Sequence, residues 1–367
     1  ALETDYRAAV RGLMIPAYER LHAFVRDEYL PRCVDTAGLG ELPGGDAAYA
    51  SLVRWQTTTD LSPDEIHKIG LREVARIRDE MDQVRRQVGF KGTLAEFIGF
   101  VASDPQFTPF STEEEILEAY RAIEGRILAQ VPRFFRHVPR TRFEVRATER
   151  FRVATASHEY SPGTPDGGRP GRFYVPIVSP RSYPSPRMEN LFLHEAIPGH
   201  HFQLSLTLEN SALPKFRRFD ANNAYVEGWA LYTERLGREL GLYTDPYQYY
   251  GMLLGDMQRA VRLVVDTGLH AKGWSREQAL AFAAANEGGS PDAHVAKIER
   301  YMAFPGQALG YKIGQLKFLE LRSAAEKQLG TRFDVRAFHD VVLSEGALPL
   351  AVLETRVLQW AAGTASP

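Results

Sequence analysis

The chain has 367 residues, of which 44% are hydrophobic and 25% charged, the composition of an ordinary globular protein. A formal net charge of −2 gives no bulk electrostatic pull toward nucleic acid or an anionic membrane. Cys33 is the one cysteine, which excludes an intrachain disulfide and a thiolate metal cluster, and no apolar run reaches the length of about 18 residues that spans a bilayer.

The first residues, Ala1-Leu-Glu-Thr-Asp, do not read as a signal peptide. They lack a starting Met, so a missing leading segment is expected, and cytoplasmic and exported locations both stay open. Residues 5–30 read as a helix with Val10, Met14, Tyr18, Leu21 and Val25 on one stripe and a kink at Pro16. Ser62-Pro-Asp-Glu65 is a capping box with proline in the first helical position. The helix it opens carries Ile66, Ile69, Val74, Ile77, Met81 and Val84, and Gly89 to Gly92 ends it. Thr93-Leu-Ala-Glu96 and Ser111-Thr-Glu-Glu114 repeat the start signal.

Then the pattern changes. Arg142 to Ala147 alternates as a strand does, Ser161 to Gly171 is a Pro/Gly loop, and Arg172 to Val178 is a second short strand. Pro176 marks that second strand as an edge. From Arg187 onward the chain is helical again, over about 187–210, 222–240, 246–270, 276–286, 291–302, 306–328, 334–345 and 349–361. The fold class is mainly α, with a small β-hairpin or sheet beside the helix that begins near 187. One region is expected over 1–367: a helical part (1–140), a small β element (141–180) and a second helical part (181–367).

That last part carries the chemistry. Leu191-Phe-Leu-His-Glu-Ala-Ile-Pro-Gly-His-His-Phe-Gln203 places His194, Glu195, His200 and His201 within eight residues of an apolar stretch. A hydrolytic zinc site needs three protein ligands, an open position for water and a nearby base. The common helical version is His-Glu-x-x-His, but position 198 here is Pro. On an ideal helix +6 from His194 falls on the wrong face, and +7 lies about 10.5 Å along the axis. A His194–His200 pair therefore needs a local widening of the helix. Pro198 removes a backbone donor and Gly199 permits unusual torsions, so this dipeptide supplies a cause. His201 is the less favoured alternative for the second ligand, and is otherwise left for substrate or for a position behind the ligands. A third ligand is expected as a carboxylate on another helix, and Glu227, 27 residues after His200, suits it. Glu234, two turns further on the same face, is placed to orient a ligand histidine through its free ring nitrogen.

Several stretches, taken together, resemble a bacterial family catalogued as domain of unknown function 885: Phe173-Tyr-Val-Pro, His194-Glu-Ala-Ile-Pro-Gly-His-His, Tyr225-Val-Glu-Gly-Trp-Ala-Leu-Tyr, Arg262-Leu-Val-Val-Asp-Thr-Gly-Leu-His270 and Tyr301-Met-Ala-Phe-Pro-Gly-Gln-Ala. The resemblance extends through Gly273 to Ala279 and Gly346 to Leu350, and so covers nearly the whole chain. It implies a zincin-like helical fold similar to the thimet oligopeptidase and carboxypeptidase Taq families. By that resemblance the cofactor is zinc, held by His194, His200 and Glu227, and Glu195 is the general base that takes a proton from water and passes it to the leaving amine. Relatives of this kind use a late tyrosine for the oxyanion, which points to Tyr311 or Tyr301. His270 and Asp266, spaced i, i+4, fall in a stretch the resemblance places near the site.

Arg262 and Arg300 have the chemistry to hold a substrate carboxylate. The strand at Arg172–Val178 corresponds to the edge that aligns extended peptides in zincins. His158-Glu159 has no following His and is set aside. The expected function is a zinc metallopeptidase acting on a peptide or peptide-like substrate. A hydrolase of non-peptide amides or esters and a non-catalytic binding member of the same fold are the alternatives.

Overall fold

The computed structural model describes residues 2–365, and the chain divides into two compact units, Ala1–Ala37 and Gly38–Pro367.

The first unit is one helical run. It comprises α1 (Leu2–Ala9), a π turn (Val10–Met14), α2 (Ile15–Phe24), a second π turn (Val25–Tyr29) and a 3₁₀ turn (Leu30–Arg32). Each π turn ends just ahead of a proline, Pro16 or Pro31. A proline ring crowds the carbonyl four residues back, and a widened turn relieves that crowding. The kink expected at Pro16 therefore takes this form. Met14, Tyr18 and Leu21 of the apolar stripe are exposed, because a lone helical run has no second element of its own to cover them.

The second unit begins with α3 (Gly45–Thr57), α4 (Pro63–Gln87), α5 (Leu94–Ser103), α6 (Glu113–Leu128) and α7 (Val131–Phe134). The capping boxes at Ser62/Glu65 and Thr93/Glu96 are both closed. The third lies one residue later than expected, at Thr112/Glu115. Along α4 the stripe Ile66, Val74, Ile77, Met81 and Val84 is buried.

A three-stranded sheet follows, formed by β1 (Phe143–Ala147), β2 (Glu159–Ser161) and β3 (Gly171–Val175) in the order β1-β3-β2. β1 runs parallel to β3 and β2 antiparallel to it. The strand expected at an edge is therefore the central one. Pro176 does not contradict this, because β3 ends at Val175 and the missing N–H falls outside the ladder.

The remaining helices are α8 (Met188–Glu195), α9 (His200–Glu209), α10 (Lys215–Phe219), α11 (Asn223–Leu236), α12 (Pro246–Ala271), α13 (Arg276–Glu287), α14 (Val295–Ala303), α15 (Leu309–Leu329), α16 (Val335–Leu343) and α17 (Leu350–Ala365). The fold is mainly helical with one small sheet, as the sequence pattern indicates. α12 is buried on nearly every side, as a helix through the middle of a core must be. It packs chiefly on α4, and α11 packs chiefly on α15.

Two glycines fix the second of these contacts. A Cβ on Gly228 of α11 would strike the backbone of Gly314 on α15, and one on Gly314 would overlap the carbonyl of Ala224. The helices thus meet backbone to backbone, one residue from Glu227. A buried ion cluster binds the same region. Lys312 of α15 is fully buried and lies 2.7 Å from Asp256 of α12 and 2.9 Å from Glu73 of α4. Arg235 of α11 reaches the same Asp256 at 3.3 Å. Asp256 is ionised against the cost of burial because Lys312 and Arg235 hold its pKa well below the carboxylate range.

Candidate metal and active site

The stretch that sequence pattern assigned to one widened helix is two helices with a break between them. α8 ends at Glu195 and α9 starts at His200. The backbone leaves helical torsions at Ala196 (φ −108°, ψ −111°) and again at Gly199 (φ −74°, ψ −125°). The break has a physical cause in Gly199. A Cβ there would overlap the carbonyl oxygens of Leu193 and His194, so only glycine allows the chain to fold back over the end of α8. One backbone bond spans the break, from the N–H of His201 to the carbonyl of Ala196 at 3.2 Å. α11 holds it from the side: Trp229 Nε1 donates to the carbonyl of Pro198 at 2.9 Å, and the Thr233 hydroxyl donates to that of Leu193 at 2.9 Å. The helix that clamps the break is thus the one that carries Glu227.

The result is convergence. Donor atoms of His194, His200 and Glu227 all lie within 4.8 Å of one another. Glu227 Oε2 is 3.4 Å from His194 Nε2 and 3.6 Å from His200 Nε2. That oxygen is buried and makes no hydrogen bond, and neither does His200 Nδ1. A buried carboxylate oxygen without a donor is costly unless a cation compensates it. Two imidazole nitrogens and one carboxylate oxygen form a donor set suited to zinc. The residues present fit the metal that the sequence motif implies.

The surroundings tune these groups. Glu234 takes the Nδ1 side of His194 at 2.8 Å and also accepts from Asn190 at 3.1 Å. Burial works against a charge on His194, yet Glu227 and Glu234 outweigh it and push the imidazole up to about 9. Burial likewise opposes ionisation of Glu227, but His194 and His200 hold it well below the usual value. The Glu195 carboxyl is pushed up by burial, against the pull of His194 and His200. A carboxyl raised in this way is suited to carry a proton.

His194, Glu195, His200 and Glu227 line one cavity of about 500 Å³. Among the expected residues, Arg262, Arg300, Tyr301 and Tyr311 line it too. Arg262 donates through Nε to the Tyr301 hydroxyl at 3.0 Å and lies 4.5 Å from the centre of the Tyr311 ring. Burial raises the Tyr311 pKa, and the charge of Glu227 adds to it.

The structure places three expected residues elsewhere. His201 turns toward the sheet, where its Nδ1 meets the Tyr160 hydroxyl at 2.9 Å and its ring packs on Phe143. Asp266 and His270 are buried and do not line the cavity. Asp266 accepts from the Tyr49 hydroxyl at 2.6 Å and from the backbone N–H of Gly306. His270 bridges the backbone N–H of Leu39 at 3.0 Å and the carbonyl of Tyr301 at 3.0 Å. Both act as braces of the core behind Tyr301.

Other lining residues escape the sequence pattern. His158 and Glu159, set aside for want of a following His, both line the cavity, along with Tyr160. They sit at and just before β2, so an edge strand does border the cavity, but it is β2 and not the strand expected at Arg172–Val178. His158 is held by the Tyr183 hydroxyl at 2.7 Å, and burial depresses its pKa to about 3, so the ring is neutral. Arg187 and Arg259 line the cavity as well. One sequence signal points to Arg259: it stands i, i+3 to Arg262 along one face of α12.

A model of a bacterial protein family of unknown function, DUF885, matches residues 1–357. A solved structure described as a "putative lipoprotein" from Colwellia psychrerythraea is 38% identical, with a TM-score of 0.92 over 97% of this chain. A second, from Shewanella oneidensis and also so described, is 20% identical with a TM-score of 0.74 over 93% of this chain, a likeness of fold. The chain spans 62% and 63% of the length of these two proteins. No curated protein matches it. Among the described residues no helix is long and apolar enough to cross a membrane.

Proposed function

We propose that the chain, which belongs to the bacterial protein family of unknown function DUF885, is a zinc-dependent hydrolase that cleaves peptide bonds. The observation that carries this reading is the convergence of His194, His200 and Glu227 beside Glu195 in one cavity. A bound divalent ion would supply a Lewis acid and lower the pKa of water.

The chain's own groups do the rest. Glu195 takes a proton from the attacking water and returns it to the leaving amine. Its raised pKa matches that two-way task better than an ordinary surface carboxylate would. Glu234 fixes the ring of His194 so that Nε2 faces Glu227. Tyr311, which lines the cavity with its ring 4.5 Å from the Arg262 guanidinium, donates to the negative charge developing on the carbonyl oxygen. Tyr301 is tied to Arg262 and secures that wall of the cavity. β2, as a strand at the sheet edge, gives an extended substrate a backbone to pair with. By likeness to the 38% identical neighbour described as a putative lipoprotein, the proposed place of work is outside the cytoplasm.

The test is Glu195→Gln assayed against a library of short peptides. Zinc retention with turnover reduced by about 10³-fold or more supports the reading. Full activity in that variant rules out Glu195 as the base.

A further inference from the structure

The cavity has more positive charge than the proposed chemistry uses. Arg187, Arg259, Arg262, Lys297 and Arg300 line it, against three carboxylates, Glu159, Glu195 and Glu227. Several of these are already engaged. Glu159 pairs with Arg152, Lys297 with Glu287 at 2.9 Å, and Arg262 with Tyr301. Glu227 belongs to the ligand triad. Arg300 is exposed, which leaves two cations, Arg187 and Arg259, without a partner carboxylate of their own in the cavity wall.

Arg259 is 7% exposed. It donates through one terminal nitrogen to the carbonyl of Gly255 at 3.1 Å, and the other lies 4.0 Å from Glu234, which His194 and Asn190 already occupy. Its Nε is buried with no partner. Arg187 stands at the start of α8, and its Nε too is buried without a partner. Among the described residues Arg187 makes no ion pair. The two guanidinium groups repel one another, which adds to the effect of burial on Arg187. Two like charges in the wall of one cavity, each with a buried and unpaired Nε, cost free energy with no structural return. A carboxylate between them would remove both the repulsion and the missing bonds, because guanidinium groups bind carboxylates with paired, charge-assisted hydrogen bonds.

We propose that Arg187 and Arg259 form a carboxylate-binding subsite beside the ligand triad, so that the substrate is a peptide bearing a carboxylate close to the cleaved bond. That carboxylate is either the free C-terminus or an Asp or Glu side chain. The subsite rests on the hydrolase reading for its role, but its existence is tested by binding alone.

The experiment measures binding by calorimetry to the Glu195→Gln protein, which keeps the cavity and stops turnover. The probes are N-acetyl-trialanine as the free acid, the same peptide as its C-terminal amide, and an amidated peptide with Glu in the last position. The expected result is binding of the free acid, or of the Glu-bearing amide, at least about tenfold tighter than the plain amide. Which of the two binds tightly assigns the source of the carboxylate. Adding Arg187→Gln or Arg259→Lys should bring that preference to within about twofold, while the melting temperature confirms that each variant is folded. Equal binding of all three peptides overturns the subsite. So does a preference that survives both arginine changes, since the receptor would then be a metal or another cation. Acid-selective binding without hydrolysis by the wild-type chain would retain the subsite and reject the hydrolase reading. Hydrolysis that does not distinguish acid from amide would do the reverse.

Discussion

Glu234 lies 2.8 Å from Nδ1 of His194, on the side of the ring away from Glu227. The bond fixes the tautomer and the rotation of the imidazole, and so decides whether Nε2 is available to a metal. Glu234→Ala should leave the fold and the ligand triad present but lower zinc affinity roughly 10- to 100-fold. Competition against a fluorescent chelator measures this. Unchanged affinity would mean that packing alone orients His194.

The crossing of α11 and α15 at Gly228 and Gly314 places Glu227. Gly314→Ala inserts a methyl group against the Ala224 carbonyl and the Gly228 backbone, atoms that cannot swing aside. The expected loss is roughly 3 kcal/mol by urea denaturation, together with weaker zinc binding as the helix shifts. Gly99, where an added Cβ meets nothing within 4 Å, is the matched control, and Gly99→Ala should be neutral or slightly stabilising.

Lys312 lies in a buried ion cluster with Asp256 and Glu73. Lys312→Ala removes the nearest cation from buried Asp256, leaving it to Arg76 and Arg235, and should cost about 3 kcal/mol. Lys312→Met combined with Asp256→Leu should recover much of that loss, because both charges leave together. A double-mutant cycle in urea reads the coupling.

Asp266 gives the sharpest pH signature. Burial pushes its carboxyl up to about 7, against hydrogen bonds from Tyr49 and Gly306. A folded-state pKa above the unfolded value means that the native state holds the extra proton. The contribution to stability is therefore greatest below the ordinary carboxylate value of 3.8 and is lost as pH rises through about 7. Asp266→Asn should abolish this slope. Midpoints of wild type and variant measured from pH 4 to pH 8 should diverge, with wild type losing ground as pH rises. Parallel curves would show that Asp266 is ionised throughout.

Local rules read well in this sequence where a side chain acts on its own backbone. The boxes at Ser62/Glu65 and Thr93/Glu96 and the buried stripe of α4 followed directly from residue types. The failures are tertiary. β2 has three residues, too short to show alternation, and exists because β3 offers it an edge. The helix break needed Gly199 to lie against the Leu193 and His194 carbonyls, a contact that spacing alone rendered as a widened turn. His270 and Asp266 share a helix with Arg262, yet the helix passes out of the cavity and into the core between them. Arg187 and Arg259 come from separate helices, and neither is informative until the fold leaves both unpaired.

The most direct measurement is zinc per chain by elemental mass spectrometry, for wild type, His200→Ala, His201→Ala and Glu227→Ala. The account predicts one zinc in wild type and in His201→Ala, and loss of it in His200→Ala and Glu227→Ala. Zinc retained in His200→Ala, or lost in His201→Ala alone, would contradict the ligand triad on which the whole reading stands.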